Sequence, residues 1–444
     1  MAKFDAAYHF PRGFLWGAAT ASHQVEGGNT NNNWYRWEQT EGKIKNGDKS
    51  GLACDWWGGR WKEDFDRAAE TGQNAHRLSI EWSRIQPAID RWDEEALDYY
   101  RQIIRGLVER NLTPCVTLHH FSDPLWLTDL GGWLYADAPV LFEKYVRKVV
   151  EALKEYVTLW VTINEPNVYT FSSYLLGDFP PGHKSLPEAW QVAVQIARGH
   201  AAAYHAIHEI QKEARVGLSI NYRCFLPAAS WSPLDKLAAN IQHQAFNCSF
   251  TGAAQTGILK MLTYRANIPH SVGTQDYIGL NYYSRDYTKF DLFSPQESFM
   301  KKYYGKDDEL SSTGFIANVP EGFYHGFKWA VKYGLPVIVT ENGVEDSQDT
   351  LRPRYLLQHL YQTWRAVNFN WPVKGYFHWS LVDNFEWERG WSQRFGLWGL
   401  DTGNQMRIRR KSVDLYAEIC KENGITTAMV EKYAPEIFEK IFPG

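Results

Sequence analysis

Eight short runs of apolar and β-branched residues recur along the chain, each ending in polar residues before a stretch of helical periodicity. They are FLWGAAT (14–20), AHRLSIEW (75–82), TPCVTLHH (113–120), LWVTINEP (159–166), RVGLSINY (215–222), DYIGLNYY (276–283), PVIVTENG (336–343) and VKGYFHWSL (373–381). Between them lie amphipathic segments such as 94–111 and 138–156, whose apolar residues recur at three and four, as helices packed on a sheet require. Eight strands alternating with helices is the count of an α/β (β/α)8 TIM barrel. No low-complexity linker divides the 444 residues, so a single barrel domain over 1–444 is expected. Segments 21–59 and 284–313 lack clear periodicity and are expected as long loops on the rim of a pocket.

The composition is that of a globular protein, with 44% hydrophobic and 22% charged residues. A mean hydropathy of −0.45, and no apolar run near the ~18 residues of a membrane helix, argue against a membrane-spanning chain. Basic and acidic residues number 47 and 51, a balance that gives no reason to expect a nucleic-acid or anionic-membrane partner. Aromatic residues reach 15% and include 20 tryptophans, most of which a large aromatic core must hold. Tryptophan stacks on the apolar face of a sugar while its N–H donates a hydrogen bond, so several are expected to line a pocket. The five cysteines are scattered, odd in number and without a C-x-x-C pair, which suits reduced, packed thiols. The N-terminal MAKFDAAYHFPRG has no apolar signal core, and a cytoplasmic location is expected.

Polar residues mark the ends of seven of the eight runs: Glu81, His119–His120, Asn164–Glu165, Asn221–Tyr222, Asn281–Tyr283, Glu341–Asn342 and Trp379. In a parallel barrel these ends converge on one face, where barrel enzymes carry their sites. Glu165, in TINEP, and Glu341, in VTENG, would face each other across that mouth. A carboxylate pair there suits cleavage of a glycosidic bond, which needs an acid and a base or nucleophile around the anomeric carbon. A gap of about 5–5.5 Å retains configuration and one of about 6.5–9.5 Å inverts it.

The motifs FLWGAATASHQVEGG (14–28), TINEP (162–166), GLNYY (279–283), VTENG (339–343) and HWSLVDNFEW (378–387) together resemble those of glycoside hydrolase family 1, of the β-glucosidase kind. The resemblance covers essentially the whole chain. It implies a cofactor-free retaining exo-β-glycosidase for terminal β-D-glucosyl groups, with related galactoside and fucoside activity and some transglycosylation. By matching position it implies Glu341 as nucleophile and Glu165 as acid/base, with Arg77 and Tyr283 supporting the nucleophile. Gln24, His120, Asn164, Asn281, Trp379, Glu386 and Trp387 match the substrate-binding set, and a cis peptide between Trp379 and Ser380 is implied. The partners so implied are small β-glycosides and short β-linked oligosaccharides. A homo-oligomer is compatible with the sequence.

Glu386 would repel the phosphate of a 6-phosphosugar, and the spacing of Arg389 and Arg394 does not match a phosphate anchor. Unphosphorylated sugar is therefore favoured over the alternative of a 6-phospho-β-glycosidase. A second alternative, a sugar-binding scaffold without turnover, should have lost one of the two glutamates. The chain departs from the family pattern at Phe121, where Trp is usual and whose ring cannot donate to a sugar hydroxyl, and at His23, where Tyr or Phe is common. His200, His205 and His208 share a helix pattern without a completing carboxylate, so no metal site is expected.

Overall fold

The computed structural model describes residues 5–294 and 299–443. Eight parallel strands close into a barrel: β1 (Leu15–Ala19), β2 (Ala75–Ser79), β3 (Thr113–His119), β4 (Leu159–Asn164), β5 (Arg215–Asn221), β6 (Tyr277–Tyr282), β7 (Val337–Asn342) and β8 (Val373–Trp379). They follow one another around the ring in chain order, and β8 pairs with β1 to close it. The strands are buried along nearly their whole length, as expected of a sheet covered by helices outside and filled by its own side chains inside.

The expected helices form where their periodicity lies. Glu94–Val108 starts at Asp93, whose carboxylate caps the amide of Ala96, and turns Leu97, Tyr100, Ile104 and Leu107 inward. Ala138–Leu153 begins with a proline in its first turn and buries Phe142, Val146, Val149 and Leu153. Below the barrel, Ala7–His9 pairs antiparallel with Gly424–Thr426, which ties the two ends of the chain together. Most tryptophans are core: Trp16, Trp34, Trp56, Trp82, Trp133 and Trp160 are fully buried. No helix among the described residues is long and apolar enough to cross a membrane.

The two irregular segments are more ordered than the sequence suggests. Segment 21–59 holds the short helices Ser22–Val25 and Asn33–Glu38. In segment 284–313, Arg285–Phe290 lies parallel to Cys224–Pro227 and antiparallel to Met300–Tyr303, making a small three-stranded sheet outside the barrel; residues 295–298 of that segment lie outside the described residues. The inward positions of Arg285–Phe290 are polar, Asp286 and Thr288, so the strand carries no apolar alternation to read.

The barrel ladder is irregular at four places, one at the start of β7 between Val337 and Ile338 and three at the mouth. The pairing of β4 with β5 slips between Val161 and Asn164, that of β6 with β7 between Leu280 and Asn281, and that of β7 with β8 between Val339 and Asn342. Such bulges re-aim the side chains that follow them. Here those residues are Asn164, Asn281 and Glu341. Gly343 follows directly, and a side chain there would meet the Trp379 carbonyl at 1.9 Å, so the chain leaving β7 can pass β8 only as glycine.

Candidate active site

Glu341 is held from two sides. Arg77, rising from β2, donates from Nη1 to Glu341 Oε1 at 2.5 Å, and Tyr283, just past β6, donates its hydroxyl to Oε2 at 2.6 Å. Arg77 is itself fixed: its Nη2 reaches Asn164 Oδ1 at 2.6 Å and its Nε reaches Thr117 Oγ1 at 3.1 Å. A fully buried guanidinium with every edge engaged is a pre-oriented cation.

Glu165 sits at the start of the short helix Pro166–Thr170 with a left-handed backbone, φ 42° and ψ 58°. For a residue with a side chain that conformation costs about 1–2 kcal/mol, and it coincides with the turn from strand to helix at the mouth. The carboxylate accepts from Asn281 Nδ2 at 2.8 Å and from Asn221 Nδ2 at 3.0 Å, both on Oε1. It has no ion pair.

The electrostatics of the two carboxyls differ accordingly. Burial pushes both above the ordinary glutamate range. For Glu341 that push is opposed by the Arg77 charge and by the hydrogen bonds of Tyr283 and Arg77. Glu165 is raised further by the negative charge of Glu341, to about 8. At neutral pH the shared proton therefore resides on Glu165, and Glu341 is the ionised member.

Around this pair lie the other expected residues. Asn164 Nδ2 donates to His120 Nε2 at 3.0 Å, and its oxygen faces Arg77, which fixes the amide's orientation. Burial and Arg77 hold His120 well below the ordinary histidine range, so the ring is neutral. With Nε2 accepting, its proton is on Nδ1. On the opposite wall Gln24 Nε2 donates to Phe385 O at 2.8 Å and to Glu386 Oε2 at 3.2 Å. Gln24 Oε1 and His120 Nδ1 are buried here without a partner among the described residues, one an acceptor and one a donor. The indoles of Trp379 and Trp387 flank the His120 ring at centroid distances of 6.0 and 5.9 Å, and the Trp379–Ser380 peptide is cis. Glu386 is raised to about 8, first by burial and then by Glu388 and Glu341.

Several residues settle elsewhere. Asn281, expected on substrate, uses its amide on Glu165 and on Asn164 Oδ1 at 3.3 Å. Asn221, read only as a strand end, proves to be a direct partner of Glu165; its signal was its place one strand beyond TINEP. Glu81 is tied down by the hydroxyls of Ser22, Ser83 and Ser122. His119 bonds Asp123 at 2.9 Å. His23 packs behind Trp387, with rings 5.8 Å apart and nearly parallel. Phe121 lies against His120 and Trp387 at 5.1 and 5.2 Å. His200, His205 and His208 turn to three separate partners, Thr162, the His270 carbonyl and Asp276. The described residues contain no cluster able to hold a metal ion, and all five cysteines are free.

The model of glycosyl hydrolase family 1 matches residues 6–425. The chain belongs to this family. Among its relatives a 1,4-beta-D-glucan glucohydrolase of Thermotoga neapolitana is 35% identical, over 94% of this chain and 99% of that protein. A beta-galactosidase of Pyrococcus woesei is 32% identical over 95% and 99%. Among solved structures, a beta-glycosidase from Pyrococcus horikoshii superposes with a TM-score of 0.90 at 36% identity, covering 96% of this chain and 98% of that one. A beta-glucosidase from Thermotoga maritima in complex with glucoimidazole gives 0.88 at 34%, covering 94% and 100%. This family 1 chain is thus a glycoside hydrolase on a TIM barrel.

The raised carboxyl has a consequence for stability. In the unfolded chain Glu165 titrates in the ordinary range, whereas in the fold it keeps its proton to about 8. The folded state therefore binds more protons across that window, and stability falls as pH rises through it. Glu165→Gln keeps an oxygen for Asn221 and Asn281 but cannot ionise. Its melting temperature should match wild type near pH 4 and exceed it by about 2–4 °C at pH 9, as scanning calorimetry at the two pH values would read.

Proposed function

We propose that this protein is a retaining exo-β-glycosidase acting on terminal, unphosphorylated β-D-glucosides and related galactosides and fucosides, on one barrel that spans the chain. The observation that carries the reading is the asymmetry of the two glutamates: Glu341 has a buried cation and a phenol, while Glu165 has two amides and keeps a proton to about 8. In the first step Glu341 attacks the anomeric carbon as the bond to the leaving oxygen breaks, and Glu165 gives that oxygen its proton. The glycosyl ester removes the charge of Glu341, so the carboxyl of Glu165 falls and it takes a proton from the attacking water. A sugar or alcohol in place of that water gives transglycosylation.

Sugar recognition follows from the unpartnered groups of the wall. Gln24 Oε1 and Glu386 accept from neighbouring hydroxyls, His120 Nδ1 donates, and Trp379 supports the ring. Asn164, braced by Arg77, is positioned for the 2-hydroxyl. The relatives named for glucan and galactoside hydrolysis support this substrate class.

The 6-phospho alternative lacks support at the wall. Arg389 pairs with Glu388 at 2.8 Å, and Arg394 bonds the Leu400 carbonyl at 3.3 Å. Comparing 4-nitrophenyl β-D-glucoside with its 6-phosphate tests this. The plain glucoside should show the higher kcat/KM by at least about 10³-fold, about 4 kcal/mol of discrimination, and preference for the phosphate would overturn the assignment.

Tyr283→Phe removes one of the bonds to ionised Glu341. A charge-assisted bond of this kind is worth about 1.5–3 kcal/mol, so kcat/KM should fall by about 10–100-fold. Because the lost bond favoured the ionised form, the acidic limb of the pH profile should also move to higher pH.

A further inference from the structure

Outside the barrel, a cleft of about 520 Å³ lies between the helix Pro233–Gln242 and the helix Pro320–Ala330. It is remote in role from the catalytic carboxylates: none of its lining residues belongs to the proposed catalytic set. Its inner wall is aromatic, with Tyr222 and Trp329 buried and their rings 5.3 Å apart, and with Trp371 beside them. Its rim is cationic. Lys236, Lys328 and Lys332 all line it, and none pairs with a carboxylate among the described residues.

The three lysines bring like charges together on one rim. Lys328 and Lys332 stand four residues apart on consecutive helical turns, where like charges repel. His243 and His325 complete the lining, and both are held below the ordinary histidine range, by burial first and then by Lys332 and Lys328 respectively. Glu321 acts on His325 but does not line the cleft. No carboxylate does.

We propose that this cleft is a second binding site, for a small organic anion carrying a flat ring, an aryl phosphate or carboxylate. Lys236, Lys328 and Lys332 meet the charge, and the ring lies against Trp329 and Trp371. An aromatic wall supplies the burial and a cationic rim supplies the selection for charge. Tyr222 links the cleft to the barrel, since its backbone amide donates to the Asn281 carbonyl at 2.8 Å and it follows Asn221 in the chain.

The test uses phenyl phosphate as probe on the full-length protein, with saturation-transfer NMR and calorimetric titration. Saturable binding is expected with a Kd at or below about 1 mM. The double variant Lys328→Glu/Lys332→Glu should weaken it by at least about tenfold while leaving aryl β-glucoside hydrolysis and the melting temperature unchanged. Lys328→Gln/Lys332→Gln, which removes charge without reversing it, should give an intermediate loss. Binding should persist with the active site filled by glucoimidazole. Absence of saturable binding would overturn the proposal. So would binding that both variants retain undiminished, or binding that glucoimidazole displaces.

Discussion

Glu341→Ala should lower kcat on 4-nitrophenyl β-D-glucoside by on the order of 10⁵-fold. On the proposed mechanism the variant removes the atom that bonds to carbon, and no neighbour can replace it: Arg77 and Tyr283 are donors, and Glu165 keeps its proton and is held by Asn221 and Asn281. The loss should come in kcat, because the wall formed by Gln24, His120 and Glu386 is untouched. Binding of glucoimidazole and an unchanged circular dichroism spectrum separate lost chemistry from lost folding. Azide gives a sharper readout. It fits the space of the missing carboxylate and attacks from the same face, so α-glucosyl azide should form. Wild-type-like turnover by Glu341→Ala would refute the role assigned to it.

Glu165→Ala should show the second large effect, one that depends on the leaving group. For a poor leaving group such as methanol, proton donation is needed in the transition state, and kcat/KM should fall by about 10³–10⁴-fold. For 2,4-dinitrophenolate, which leaves without a proton, the first step should be nearly unchanged. The glycosyl ester should then accumulate, because no base is left to activate water. The pH profile should change with it. In wild type kcat/KM should fall as pH rises through about 8, as Glu165 loses the proton it is proposed to donate. In the variant that alkaline limb should vanish for 2,4-dinitrophenyl β-D-glucoside. A basic limb that persists unchanged would assign it to another group, with Glu386, also raised to about 8, the first to examine.

Much of this arrangement was legible in the sequence because a parallel barrel writes its active face as strand ends. Runs such as LWVTINEP and PVIVTENG place their polar residues where the apolar strand stops, and the observed strands Leu159–Asn164 and Val337–Asn342 end within two residues of those motifs. What the sequence did not show is how the last residues are aimed. The slips at Asn164, Asn281 and Glu341 depend on pairing with the neighbouring strand, which lies some 40 to 60 residues away in the chain. For the same reason the bonds from Asn281 and Asn221 to Glu165 are not legible in the sequence. The left-handed backbone at Glu165 is likewise a tertiary property, because nothing in N-E-P demands it. In segment 284–313 the strand Arg285–Phe290 escaped notice because its partners, Cys224–Pro227 and Met300–Tyr303, are distant or short.

Glu341 as nucleophile, with Glu165 as acid and then base, is the central proposal. Proton NMR of an aryl β-D-glucoside during turnover tests this most directly, by watching the anomeric proton of the first sugar released. β-Glucose should appear first, with the α anomer following only at the rate of mutarotation. Early α-glucose would contradict it, since a single displacement by water leaves no place for a glycosyl ester on Glu341.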